Sequence, residues 1–334
     1  MARDKSGLRI LAVSESVVAR GIMKSWIGFL LCLSVLGCAA PKTTRLDPRQ
    51  LADPDGQFLS LGRERLYVRV RGPEAGEPVF LVHGFGASAI SFDFLLDSLV
   101  RRGYRCYAVD LLGFGLSDKP SRADYSHPAQ ARRLLRLLDR LGIPSAHLVG
   151  HSMGGSVALH LALLAPDRVR SLALIAPAVQ LQPGGPGWLS RQLLRFPPMA
   201  GWVKSRLRAS FSGPEAVSAL RMAYYQPDSV LTDERLARYL RPLQTPGWES
   251  ALLGMLRDAR RNWIPPERLR KIRQPVLLLW GEADRIVPIR ERDRLRALFA
   301  ETYEATVRRT GHMPFEEAPG LVARALEEFW SLIR

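Results

Sequence analysis

The sequence predicts an α/β fold: a mostly parallel central sheet flanked by helices, with a helical cap inserted after a core strand. Three observations carry this expectation. Short, continuous apolar runs recur at 79–82, 107–109, 147–149, 172–175 and 276–279, as in strands buried on both faces. Helical spacing of apolar residues lies between them. Phe92, Leu95, Leu96 and Leu99 mark one helix, and Leu134, Leu135, Leu137, Leu138 and Leu141 another. Strands alternating with helices build parallel βαβ units. That alternation stops between about 178 and 268, where Pro-Gly clusters and amphipathic helical segments replace buried strands.

The N-terminus reads as an address. Arg20 and Lys24 precede an apolar run over 26–36, which suits a signal-peptide core and falls short of the roughly 20 residues of a spanning helix. The run ends in Val35-Leu36-Gly37-Cys38, which resembles a bacterial lipobox. That resemblance implies that Cys38 is the lipidated first residue of a mature lipoprotein in the cell envelope. Ala39 after the Cys favours the outer membrane by the same resemblance. A plain signal peptide cut near Ala39-Ala40 and an uncleaved anchor remain open, and so does Met23 as the start. Once Cys32 is removed and Cys38 lipidated, Cys106 alone remains, in an apolar strand pattern that suits an inert core thiol.

Downstream of this 1–40 segment, 41–54 is polar and carries Pro, as a tether does. The core begins at 55. The alternating runs 58–61 and 66–70 flank 62–65, which predicts an antiparallel hairpin. Core residues extend to 177, the cap spans 178–268, and 269–334 completes the core with a C-terminal helix. At 334 residues, 47% of them hydrophobic, the chain suffices for one large core with an inserted lobe.

The 48 basic and 32 acidic residues give a formal charge of +16, and only six of the basic residues are Lys. The Arg residues are scattered, with no zinc-finger spacing and no aromatic-basic pattern, which argues against nucleic acid as a partner. A membrane surface suits the charge better. Within the cap, Trp188, Leu189, Leu193 and Phe196 lie near Arg191 and Arg195, and Trp202, Val203 and Leu207 lie near Lys204 and Arg208. Two readings stay open here: a basic amphipathic surface on anionic lipid, or cap helices that turn their apolar faces onto the protein.

The strongest chemical signal is Leu148-Val149-Gly150-His151-Ser152-Met153-Gly154-Gly155. Gly-x-Ser-x-Gly here follows an apolar strand and opens a helix, the setting a nucleophile elbow requires. Such a turn strains the Ser backbone, so its neighbours must be Gly. It also aims the N–H of Met153 at a reacting carbonyl from a helix N-terminus. His83-Gly84-Phe85-Gly86 ends the run 79–82. Trp280-Gly281-Glu282-Ala283-Asp284-Arg285 follows the run 276–279, which places Asp284 in a loop just past a strand. Gly311-His312 precedes the last helix. Among the histidines, only His312 occupies a late loop past a strand. His83 reads as a turn brace, His127 lies beside Pro128, His147 opens a strand, His151 precedes the Ser and His160 sits in the helix after it. Asp110 also ends a strand and is the rival acid, in what looks like a structural turn.

From about Phe58 onward the chain resembles the α/β-hydrolase superfamily, in the branch with His-Gly-x-Gly, Asp-x-x-Gly-x-Gly-x-Ser and Gly-His-Ser-Met-Gly-Gly. The resemblance implies Ser152 as nucleophile, His312 as base and Asp284 as the acid that orients it, in the chain order of this fold. It implies the N–H groups of Phe85 and Met153 as oxyanion donors. The branch includes esterases, monoacylglycerol lipases, C–C bond hydrolases, epoxide hydrolases and haloalkane dehalogenases. The last two use Asp as nucleophile, which Ser152 excludes by resemblance. The expected activity is cleavage of a carboxylic ester, with a lipid or monoacylglycerol as candidate substrate. C–C or amide hydrolysis by the same triad, and an idle binding protein on this fold, are the alternatives. No metal or organic cofactor is expected, since neither a ligand cluster nor a dinucleotide-binding loop appears.

Overall fold

A computed structural model describes residues 45–184, 197–212 and 214–334. The predicted signal segment with Cys38, and the cap residues Trp188 to Phe196, lie outside the described residues. The α/β architecture is the one expected. Eight strands form one sheet: β1 (Gly56–Leu61), β2 (Glu64–Arg71), β3 (Pro78–Val82), β4 (Arg105–Val109), β5 (Ala146–His151), β6 (Val169–Ile175), β7 (Val276–Gly281) and β8 (Thr302–Val307). Their order is β1-β2-β4-β3-β5-β6-β7-β8. β1 and β2 pair antiparallel, β2 meets β4 antiparallel, and every pairing from β4 to β8 is parallel.

The hairpin is tighter than the sequence suggests. Leu61 pairs with Glu64, so the turn is Gly62-Arg63 alone, with Gly62 at φ 76°. Two-residue hairpin turns need this left-handed backbone to match strand twist, and Gly adopts it without strain.

The helices of seven or more residues are α1 (Asp93–Val100), α2 (His127–Arg140), α3 (Met153–Leu164), α4 (Pro197–Ser212), α5 (Pro214–Arg221), α6 (Asp233–Leu240), α7 (Trp248–Asp258), α8 (Arg290–Arg296) and α9 (Pro319–Leu332). Strand residues alternate between two helical layers. Leu81, Val149, Ala173, Ile175, Leu277 and Leu279 join Phe92, Leu95, Leu99, Leu326, Phe329 and Trp330 in one core. Cys106 is part of this core, and burial pushes its thiol up to about 12. α2 and α3 cover the opposite face. Between β6 and β7, the described residues hold helices α4 to α7 and no strand. Within α4 the apolar residues split: Trp202 is exposed and Leu207 is buried, while Arg208 donates to Glu249 of α7 at 2.8 Å. No described helix is long and apolar enough to cross a membrane.

From β3 the chain steps to β4 on one side and then, from β5 on, moves toward the β8 edge on the other. Adjacent parallel strands β3 and β5 therefore mark the point where the winding reverses. Open α/β sheets place their sites outside the C-terminal strand ends at such a point.

On the far side of the sheet, α2 and α3 enclose two histidines. His127 Nδ1 lies 2.8 Å from Ser156 Oγ, and His160 Nε2 donates to the Asn262 carbonyl at 3.3 Å. Burial pulls His127 down to about 3 and His160 down to about 4. The unfolded chain then binds protons near pH 6.5 that the folded chain refuses. Stability is therefore full above that pH and falls as pH drops toward 4. For His160 alone the loss between pH 7 and pH 5 is about 2 kcal/mol. Denaturant midpoints at the two pH values should differ accordingly, and His160→Gln should shrink the difference; an unchanged difference in the variant would contradict this assignment.

Candidate active site

β5 delivers Ser152 in a conformation that ordinary residues avoid. Its φ is 51° and its ψ −117°. Such strain persists only where the surroundings fix it. Here Ser152 N–H donates to the Ile175 carbonyl at 2.9 Å, and its own carbonyl accepts from Ala178 at 2.9 Å and Gly155 at 3.0 Å. The Gly positions follow from close approach. A Cβ on Gly150 would lie 2.7 Å from the Gly154 oxygen, one on Gly154 would overlap the Val82 carbonyl, and one on Gly155 would meet Pro177 at 2.6 Å.

The turn after β3 runs directly alongside. A Cβ on Gly84 would lie 3.1 Å from Ser152 Cβ, so the Gly84-Phe85 peptide borders Ser152. His83 braces this turn, as expected of it. Its Nδ1–H donates to the Gly84 carbonyl at 2.7 Å and its Nε2 accepts from Leu111 N–H at 3.1 Å. Burial lowers its pKa. Phe85 itself is half exposed, edge-on to Phe114. Met153 is buried and opens α3, so its N–H belongs to the first turn, whose donors find no partner within the helix.

Asp284 and His312 come together from the loops after β7 and β8. His312 Nδ1 donates to Asp284 Oδ2 at 2.7 Å, with the carboxylate side chain fully covered. The other oxygen, Oδ1, accepts the N–H groups of Ile286 and Val287 at 2.8 and 2.9 Å. These bonds fix the carboxylate and leave Nε2 as the His312 ring nitrogen with no partner among the described residues.

The rival acid, Asp110, is a turn anchor. Its two oxygens each accept a backbone N–H at 2.6 Å, from Ala89 and Leu116. His151 does more than the sequence suggests. Its Nε2–H donates to the His312 carbonyl at 2.9 Å, and the two rings lie 4.5 Å apart. Burial, with the His312 charge second, keeps the His151 pKa far below normal.

Three further residues frame His312 and escape sequence reasoning. His312 N–H donates to the Ala223 carbonyl at 2.7 Å. Glu317 accepts from Gly311 at 2.6 Å, Tyr225 at 2.7 Å and Gln226 at 3.2 Å. Glu316 lies fully buried against Arg235 of α6, at 2.8 Å. Partners about 80 to 90 positions apart leave no local signal. Among the described residues no cluster of His, Cys, Asp and Glu has a metal-holding arrangement.

Residues 77–319 match the family described as alpha/beta hydrolase fold. The chain belongs to that family. It is 32% identical over 280 residues to the uncharacterized hydrolase YugF of Bacillus subtilis (strain 168), spanning 84% of this chain and 99% of that protein. It is 27% identical over 303 residues to Lipase 3 of Moraxella sp. (strain TA144), spanning 86% and 91%. Among solved structures, the 2-hydroxy-6-oxo-6-phenylhexa-2,4-dienoate hydrolase of Rhodococcus sp. strain RHA1 superimposes with a TM-score of 0.67 at 24% identity. That match covers 83% of this chain and 98% of the other, and it carries the fold.

Replacing Asp110 tests its assignment as an anchor. Asp110→Ala strands two buried N–H groups, each worth about 1–3 kcal/mol, so the total loss should be roughly 3 kcal/mol. Chemical denaturation measures it. A variant of native stability whose only defect is kinetic would return Asp110 to the list of acids.

Proposed function

We propose that this protein is a serine hydrolase that cleaves a carboxylic ester through an acyl-enzyme on Ser152. The observation that carries the reading is the strained Ser152 backbone, φ 51°, at the sheet's switch point. The Asp284–His312 hydrogen bond of 2.7 Å, at neighbouring strand ends, supports it. Similarity to Lipase 3 of Moraxella supports an ester as the bond cleaved.

His312 Nε2 takes the proton of Ser152 Oγ as that oxygen attacks the carbonyl carbon. Asp284 stays ionised. It holds the tautomer with hydrogen on Nδ1 and stabilises the imidazolium that forms. The oxygen of the tetrahedral intermediate takes N–H bonds from Met153 and Phe85, each worth about 2.7–4 kcal/mol in the transition state. Collapse breaks the C–O bond, and His312 returns the proton to the departing alcohol. Water, deprotonated by His312, then attacks the acyl carbon and releases Ser152 with a carboxylic acid.

A lipid ester suits this chain because its N-terminus carries the lipobox-like Val35-Leu36-Gly37-Cys38. Lipidation at Cys38 would hold the enzyme at the bacterial envelope, facing membrane substrates. Cys38→Ala should abolish metabolic labelling with a fatty acid and release the protein from membranes; unchanged labelling would refute the anchor.

Fluorophosphonate labelling followed by an ester panel tests the chemistry. The wild type should label covalently and hydrolyse p-nitrophenyl esters and monoacylglycerols. Ser152→Ala should lose labelling and at least about 1000-fold in kcat. Labelling that survives in Ser152→Ala would overturn the nucleophile. Turnover of a vinylogous diketone with negligible ester cleavage would replace the ester reading with C–C hydrolysis.

A further inference from the structure

Arg235 makes an unusual set of contacts for a residue of the inserted helices. Its guanidinium is 6% exposed and donates to three places. Nη1 reaches Asp93 Oδ2 at 2.7 Å, and Nη2 reaches the Ile90 carbonyl at 2.7 Å. Nε and Nη2 both reach Glu316 Oε2, at 3.1 and 2.8 Å. Ile90 and Asp93 follow the turn that carries Phe85. Glu316 is four residues past His312. One side chain therefore bonds both arms of the site, the turn beside Ser152 and the segment behind the base.

The surroundings leave little freedom. Glu316 also accepts from the Tyr239 hydroxyl, and Arg235 lies over the rings of Phe94 and Tyr239 at 4.9 and 5.4 Å. Asp93 is shared with Arg69 of β2 and with Arg238, the latter at 2.5 Å. Phe92 and Phe315 pack between the two arms, ring centroids 4.9 Å apart. Buried ion pairs add little stability over an apolar replacement, because desolvation offsets their attraction. What a guanidinium adds is fixed fork geometry, which a Lys point charge does not reproduce.

We propose that Arg235 is a positioning residue that locks the His312 loop in register with the oxyanion turn, so that the inserted helices set the geometry of the base. This rests on Ser152 and His312 performing the chemistry. The backbone contact from Ala223 to His312, and the Glu317 contacts to Tyr225 and Gln226, run between the same two parts. They extend the coupling along the insertion.

The test uses Arg235→Lys and Glu316→Gln, with Arg221→Ala as a surface control whose one ion pair among the described residues is to the exposed Asp228. Activity is expressed per Ser152 site titrated with fluorophosphonate, so unfolded protein does not count. A misplacement near 1 Å costs about 100-fold. The expected result is a fall in kcat of about 10- to 100-fold for Arg235→Lys, with KM within about twofold. Glu316→Gln should move the same way by less, since it keeps an acceptor. Amide exchange over 83–92 and 308–318 should quicken at least about tenfold in both. Unchanged kcat per site with only a lowered melting temperature would overturn the proposal, as would a rise in KM alone. If the wild type neither labels nor hydrolyses esters, the enzymatic reading fails. Amide exchange then decides the coupling by itself: quickening in both segments upholds it, and quickening in only one overturns it.

Discussion

The site depends on how closely four backbone segments approach one another at the end of β5. Ser152 sits at φ 51°, a region that disfavours any residue bearing a Cβ. Its strain is held by hydrogen bonds to the ends of β6 and the segment beyond it. Those bonds form only if α3 packs tightly against β3 and β5, which is why Gly150, Gly154 and Gly155 meet carbonyls or side chains where a Cβ would stand. The parallel order β3-β5-β6 sets these distances. Sheet topology thereby fixes where Ser152 points, and the turn after β3 falls beside it for the same reason.

Charge around His312 is arranged by subtraction. His151 packs against it, ring centroids 4.5 Å apart, and a proton there would oppose an imidazolium at His312. His83 is buried in the turn after β3. Burial depresses both pKa values. Their ring nitrogens instead serve as fixed hydrogen-bonding groups for the backbone, His83 for its own turn and His151 for the His312 carbonyl. Asp110 is similarly consumed by two N–H groups. Asp284 is left as the carboxylate bonded to the base, and two backbone donors keep it oriented. Which carboxylate and which imidazole remain available thus follows from what each candidate is already bonded to.

This distinction marks how far the sequence could be read. Apolar runs of three or four residues located β3 to β7, because a strand buried on both faces permits little else. The Gly-x-Ser-x-Gly spacing located Ser152, since it encodes a local backbone requirement. Asp284 and His312 were legible from position, each just past a strand. The helical insertion was visible as a break in alternation, while the order of its helices was not. Arg235, Glu316 and Glu317 were silent. Their partners are set by tertiary approach over long separations, and within their own helices they look like ordinary solvated charges. In the sequence His151 is only the residue before Ser152, and its bond to the His312 carbonyl emerges from the fold.

A division of labour between core and insertion follows from these contacts. Ser152, Asp284, His312 and the Phe85 turn all stand at strand ends of one sheet, so their mutual spacing is inherited from strand registry. Proteins similar to this chain carry names as different as Lipase 3 and 2-hydroxy-6-oxo-6-phenylhexa-2,4-dienoate hydrolase. The insertion touches the same frame through Ala223 and Arg235, at the His312 loop and behind the Phe85 turn. Substitutions in the inserted helices therefore reach His312 through its own backbone and through Arg235, and an insertion that varies elsewhere must keep these contacts intact for the frame to hold.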